Sequence, residues 1–329
     1  MMVTATATTQ PGYLVFSLDT ELAWGYYDLD ASRARLFSAD GSRERRAITW
    51  LLDLCDAHGI RATWALVGHL FFDRCEDCQP CPVAAWQRSH RGFSEVYTPA
   101  RPAPALWYAP DVRDQLLGAG DRHEIAFHGF THRPFPHMDG DAARREIDAW
   151  LTLGARFGIR PRSIVFPRNR VAHLDAFAAA GFRCFRSPDR SPRWHLRRFG
   201  PAVKCTDDLL DLSRLEVFTL DALRPEHGLL RIPASAYLFD FPRTLEQALD
   251  ARGLPQLRFR RIVRAIEHAA AHGGVVHLWA HPWELRTEAD RDKLQQLLGI
   301  AADHIQRGQL RSITMDELTT LALERHNPA

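Results

Sequence analysis

Short apolar runs alternate with stretches of helical periodicity along nearly the whole chain. Tyr13–Asp19 (YLVFSLD) is apolar until its last residues and predicts a buried strand with a polar C-terminal end. Ser42–His58 sets Ile48, Leu51, Leu52, Leu54 and Cys55 at helical spacing and stops at Gly59. The same reading expects strands at Ile60–Leu66, His123–Phe127, Ser163–Phe166, Phe182–Phe185, Leu229–Ile232, Val275–Trp279 and Leu310–Ile313. It expects helices at Asp111–Leu117, Asp141–Phe157, Val171–Ala180, Leu257–Ala271, Glu288–Gln306 and Met315–Arg325. Alternation of this kind implies parallel strands joined by helical crossovers. Roughly seven or eight such units favour a barrel over an open sheet. With no internal repeat and no linker, one α/β domain is expected over 13–329, after a disordered leader at 1–12. The periodicity breaks over about 72–108, where three Cys, several Pro and scattered aromatics suggest a lid-like insertion after the second strand.

Composition narrows the function. A chain of 329 residues that is 46% hydrophobic can bury its core without disulfides. Lys and Arg number 42 against 40 acids, a net charge of +2, which argues against a nucleic-acid partner. The lysines are Lys204 and Lys293 alone, which excludes a P-loop and leaves few candidates for a Schiff base. No apolar run approaches the ~20 residues of a membrane span. The opening MMVTATATTQPG has neither a basic n-region nor an apolar h-region, so a cytoplasmic protein with reduced thiols is expected. The exposed faces give no oligomeric state.

Barrel active sites lie at the C-terminal ends of strands, and the polar clusters fall at such ends. Asp19-Thr20-Glu21 closes the first strand, where alternation lets both carboxylates point the same way. They can supply a metal ligand and a general base, or form a solvated strand end. His128-Gly-Phe-Thr-His132 follows the strand HEIAF. Two His at this spacing, with one carboxylate, make the donor set of a hydrolytic zinc site. His268 and His272 share the spacing but end a helix before Gly273-Gly274, where the dipole and solvent favour His. His281, before Pro282, suits a general acid, or is a strand-end His bonded to backbone. His277 is mid-strand and reads as a core residue. Arg168, in Phe166-Pro-Arg-Asn169, can hold Asp19 in position or be one surface Arg among many. Trp24 can stack on a sugar face or pack in the core. Cys75, Cys78 and Cys81, with His90 nearby, can form a structural metal site or remain free thiols. The Arg-rich stretch from Arg183 to Arg198 reads as a solvated face in preference to a phosphate contact.

At these residues the chain resembles the polysaccharide deacetylase family (NodB homology, carbohydrate esterase family four), over roughly Tyr13–Leu321. RHEIAFHGFTH is similar to the family's second motif, H-[ST]-x-x-H, which supplies two metal-ligand His; Gly129 stands where the family has Ser or Thr. LWAHP is similar to the fifth motif, whose His, here His281, is the catalytic acid. GIRATWALVG is similar to the second strand. The resemblance implies a distorted (β/α)7-type barrel. The first motif, T-F-D-D-G, becomes S-L-D-T-E: Asp19 falls on the base and Thr20 on the ligand. With Thr a poor ligand, Asp19 is assigned as base and Glu21 as ligand, the exchange of these roles staying open. The third motif departs as well, its Arg shifted past the Pro to Arg168. The implied enzyme holds one divalent ion, with Zn2+ expected, on Glu21, His128 and His132. It removes an N-acyl group, N-acetyl or N-formyl, from an amino sugar carried as a small molecule or on a nucleotide or lipid. Thr20 keeps open a metal-free amidase or ureide hydrolase similar to the allantoinase branch. A non-catalytic carbohydrate-binding barrel is the remaining alternative, and the complete polar set argues against it.

Overall fold

The computed structural model describes residues 10–26, 36–74, 104–188, 206, 210, 214–239, 243–254 and 259–326. In chain order these form β1 (Gly12–Thr20), α1 (Ser42–Ala57), β2 (Ala62–Leu66), α2 (Pro110–Gly118), β3 (Glu124–Phe127), α3 (Gly140–Arg156), β4 (Ser163–Ile164), α4 (Leu174–Ala179) and β5 (Cys184–Ser187). There follow β6 (Pro225–Glu226), β7 (Leu229–Pro233), β8 (Ala236–Tyr237), α5 (Arg243–Asp250), α6 (Arg260–His272), β9 (Val275–Ala280), α7 (Glu288–Gln306), β10 (Leu310–Ser312) and α8 (Met315–His326).

The strands form one sheet in the order β6-β7-β5-β4-β3-β2-β1-β9-β8, with β10 beside the start of β1. Among the described residues the named strands pair in parallel except in the short β6–β7 ribbon, and Phe218 adds an antiparallel bridge to Val275. The sheet curls into a barrel, and one segment, 229–237, closes it. β7 pairs with β5, Ala234 N–H still reaches Ser187 O at 3.1 Å, and Ser235 N–H then donates to His277 O at 2.8 Å as β8 joins β9. Counting that segment once, the ring is β1, β2, β3, β4, β5, 229–237 and β9: the expected distorted seven-stranded barrel.

Alternation along the strands sorts residues between two cores. From β1, Leu14, Phe16 and Leu18 face the helical layer. Tyr13 and Val15 face inward, with Ala65, Ala126, Val165, Cys184, Leu230, Ile232 and Val275. Met315, Leu318 and Ala322 of α8 pack with this inner set at the end where the strands begin. Hence the inward positions further along each strand, Ser17 and Asp19, Arg186, and His277, are polar and lie toward the opposite end. All are buried.

The elements with strong periodicity fall where the pattern puts them, and α7 has the expected bounds. Its start is fixed by the Thr287 and Asp290 side chains, each accepting the other's backbone N–H. Differences lie at weak signals. β1 begins at Gly12, which pairs with Leu310 and so belongs to the sheet and not to the leader expected at 1–12; residues 1–9 lie outside the described residues. β4 stops at Ile164 because the chain turns at Pro167. Two-residue β6 and β8 carry no readable period. Most of the expected insertion, 75–103, is also outside the described residues, and with it the candidate metal ligands Cys75, Cys78 and Cys81.

Candidate active site

β1 delivers Asp19, and the 3-10 turn Leu22–Gly25 that follows directs Glu21 across the barrel mouth. The approach is tight: a Cβ on Gly25 would fall 2.0 Å from Glu21 Oε1, so any side chain there would push the Glu21 carboxylate out of this position. His128 follows β3, and the loop that carries His132 is held from below. Glu146 of α3 accepts from the backbone N–H of Phe130 (2.9 Å) and Thr131 (3.0 Å) and from the Thr131 hydroxyl. Gly129 has φ +79°, a conformation that Ser or Thr would hold under strain. That accounts for Gly at the place where the resembled motif carries a hydroxyl residue.

Glu21, His128 and His132 converge, one ligand atom from each lying within 4.8 Å of the others, all buried. Glu21 Oε2 is 3.1 Å from His128 Nε2 and 2.7 Å from His132 Nε2. The His128 Nδ1–H donates to the Val165 carbonyl at 2.8 Å, which turns Nε2 toward Glu21. Neither nitrogen of His132 makes a hydrogen bond among the described residues, although both are buried. Burial pushes Glu21 up, but His132 and His281 beside it hold it well below the usual carboxylate range. Burial pushes the His132 ring down, toward its neutral form. One carboxylate oxygen and two imidazole nitrogens, buried and gathered this closely, are the donor set of a divalent cation, and the residues present fit one.

Asp19 stands beside this cluster, its Oδ2 3.9 Å from both His128 Nε2 and His281 Nε2. Its partner is Arg186 from β5. Nη1 donates to Oδ1 at 2.6 Å and Nη2 to Oδ2 at 2.7 Å. Burial raises the Asp19 pKa; Arg186, with His128 and His281, outweighs that and holds it below its ordinary value. His281, after β9, points Nε2 at Glu21 Oε1 (3.4 Å) and Nδ1 at Glu284 Oε2 (3.1 Å). Tyr237 donates to the same Glu284 carboxylate at 2.5 Å. Burial lowers the His281 pKa, but Glu21 and then Glu284 raise it to about 9. A cation would neutralise the Glu21 share and leave that of Glu284.

Three expectations are corrected here. Arg168 does not hold Asp19: it donates to the Gly25 carbonyl at 3.2 Å, while the guanidinium on Asp19 is that of Arg186. The turn at Pro167–Asn169 aims the backbone so that Asn169, not Arg168, reaches inward, where its Oδ1 accepts from Arg186. Trp24 has no face for a sugar. It is fully buried, its indole N–H donates to Trp107 O, and its ring packs on His69 and Trp107. In the Arg-rich stretch from Arg183 to Arg198, Arg183 is partly exposed but Arg186 is buried completely, which departs from a solvated face; residues 189–198 lie outside the described residues. Arg186, Asn169, Glu284, Tyr237 and Glu146 were not singled out from the sequence.

His277 proves to be the buried mid-strand residue expected. Burial first, and Arg186 second, lower its pKa to about 3, against a small opposing pull from Asp19 and the Pro233 carbonyl. The unfolded chain, with His near 6.5, therefore takes up a proton before the folded one does. Stability from this residue is intact above pH 6.5 and falls as pH drops toward 3. By pH 5 the loss is about 2 kcal/mol. Urea denaturation at pH 7 and pH 5 measures it, and His277→Asn is expected to lose less than wild type; equal losses would contradict the assignment.

No protein-family model matches the sequence, and no curated protein does. Solved structures do. A Mycobacterium smegmatis protein named as a polysaccharide deacetylase aligns with TM-score 0.57 at 13% identity, over 97% of this chain and 93% of its own. Puue allantoinase aligns with TM-score 0.55 at 15% identity, over 96% and 91%. A Pseudomonas aeruginosa protein, also named as a polysaccharide deacetylase, gives 0.54 at 15%, over 96% and 92%. The chain thus has the polysaccharide-deacetylase, or NodB-homology, fold.

Proposed function

We propose that the protein is a metal-dependent N-deacetylase acting on an amino sugar that is free or carried on a nucleotide or lipid. The observation that supports this reading is the convergence of Glu21, His128 and His132 beside an Arg-held Asp19, with His281 on the facing strand end. Glu21, His128 and His132 hold the ion, with Zn2+ the expected metal. Bound there, it supplies Lewis acidity toward the substrate carbonyl and acidity to water. Asp19 takes the proton of the attacking water, and Arg186 keeps that carboxylate ionised and aimed. His281 gives its Nε2 proton to the departing amine, while Glu284 accepts from its Nδ1–H and fixes the ring. The products are a carboxylate, acetate in the expected case, and a free amine.

Elemental analysis of protein purified without added metal tests this reading, on wild type and on His128→Ala/His132→Ala. About one ion per chain is expected, absent from the double variant. A second ion surviving in that variant would belong to Cys75, Cys78 and Cys81. Acetate release from N-acetylglucosamine and its nucleotide-linked form then tests the substrate. No metal after reconstitution, with turnover of a ureide such as allantoin, would replace this reading by the ureide hydrolase. Binding of sugar without turnover of either would leave the carbohydrate-binding barrel.

A further inference from the structure

Beneath the candidate active site, a line of buried hydrogen bonds crosses the barrel interior from β7 to Asp19. Its proton positions are forced. The Pro233 carbonyl can only accept, so the His277 Nδ1 at 3.0 Å carries the hydrogen. The ring is buried beside a permanent cation and is neutral, so Nε2 is a lone pair, and the Ser17 hydroxyl at 2.9 Å donates to it. The Ser17 oxygen is left as an acceptor, and Arg186 Nη1 donates to it at 3.0 Å. An arginine side chain has five N–H groups, and here each has an acceptor. Nε and one Nη2 hydrogen go to Asn169 Oδ1, the other Nη2 hydrogen to Asp19 Oδ2, and the two on Nη1 to Ser17 Oγ and Asp19 Oδ1. A guanidinium with all five donors used has one orientation, and that orientation sets the plane of the Asp19 carboxylate.

We infer that Ser17 and His277 are positioning residues, which fix Asp19 through Arg186 without touching the substrate. The inference rests on the N-deacetylase reading for its effect on rate. The role of His277 is chemical as well as spatial: it must accept from Ser17. Were it a donor at Nε2, the Ser17 oxygen would face two N–H groups and its own proton would lack a partner. An apolar residue of the same size would leave the hydroxyl free to turn, and Arg186 free to turn with it.

The test compares zinc-loaded wild type with Ser17→Ala, Ser17→Thr, His277→Asn, His277→Gln and the double variant Ser17→Ala/His277→Asn. His277→Asn keeps a donor for Pro233 and removes the acceptor for Ser17, so it preserves folding better than an apolar replacement. His277→Gln keeps an acceptor within reach of Ser17. Two readouts are taken: kcat and KM for acetate release from whichever N-acetylated probe wild type turns over, and nitrogen-15 NMR of the Arg186 side chain. Expected is a fall in kcat of about 10- to 100-fold in Ser17→Ala and in His277→Asn, with KM and zinc content unchanged. The double variant falls no further than the weaker single, and Ser17→Thr and His277→Gln recover most of the rate. The Arg186 Nη hydrogens, separately resolved in wild type, merge in the two impaired variants as the guanidinium rotates. Unchanged kcat, additive losses, or losses spread equally over KM and zinc content would overturn the inference. If wild type releases acetate from no probe, the deacetylase reading fails, and the NMR arm alone decides: unaltered Arg186 signals in both impaired variants would overturn the inference by themselves.

Discussion

Arg186→Met is expected to lower the unfolding free energy by about 3–5 kcal/mol. The charge it removes is the counter-charge of a carboxylate that is only 3% exposed, inside a barrel that offers no second cation within hydrogen-bond distance among the described residues. Asp19 then sits buried without its hydrogen-bonded counter-charge, and burial, opposed now by His128 and His281 alone, shifts it toward the protonated form. Ser17 and Asn169 lose their donors in the same step. Much of the cost is therefore the stranded carboxylate rather than the lost attraction. A cycle of urea denaturations separates the two. Arg186→Met/Asp19→Asn, which strands no charge, is expected to be clearly more stable than the sum of the single losses predicts. Additive losses, or a loss under ~1 kcal/mol for Arg186→Met, would show that the pair is not the structural unit described here.

That Arg186 was missed, and Arg168 chosen, shows where the sequence stops being readable. Both follow short apolar strands, and both look like residues of an Arg-rich surface. What separates them is the inward or outward parity of one position, which alternates at every residue of a strand. β5 did contain a signal: Cys184 belongs to the inner core, and Arg186, two residues on, shares its face. Using it required knowing which face of a four-residue strand was inner, and four residues do not fix that. The Pro167–Asn169 turn, with φ +57° at Arg168 and +52° at Asn169, reverses the expected direction of two side chains by a backbone choice that neither residue type advertises. Trp24 fails for a different reason, since it lies in a 3-10 turn where no period exists to show burial. By contrast, Glu21, His128 and His281 were legible because each directly follows a strand that its apolar run had already located, and His132 because it stands four residues after His128.

Asp19→Asn and His281→Gln are each expected to reduce kcat by about 10²- to 10⁴-fold while zinc stays bound. Glu21→Gln is expected to lose zinc. The three variants together decide between the two assignments that the S-L-D-T-E motif leaves open. The geometry favours Glu21 as ligand on two counts. Its Oε2 lies 3.1 and 2.7 Å from the two imidazole nitrogens, whereas Asp19 comes no nearer His128 than 3.9 Å. Both Asp19 oxygens, moreover, already accept from Arg186, so a cation would have to share them with a guanidinium. In the exchanged arrangement Asp19→Asn would release the metal and Glu21→Gln would keep it, so zinc content measured beside kcat separates base from ligand. Asp19 and His281 act on opposite ends of one reaction, the proton taken from water and the proton given to the amine. Asp19→Asn/His281→Gln should therefore lose much less than the product of the single losses, because once either transfer is gone the other no longer limits the same path. Losses that multiply in full, with zinc retained throughout, would mean that the two residues do not serve one turnover, and that the acid or the base is a side chain outside this cluster.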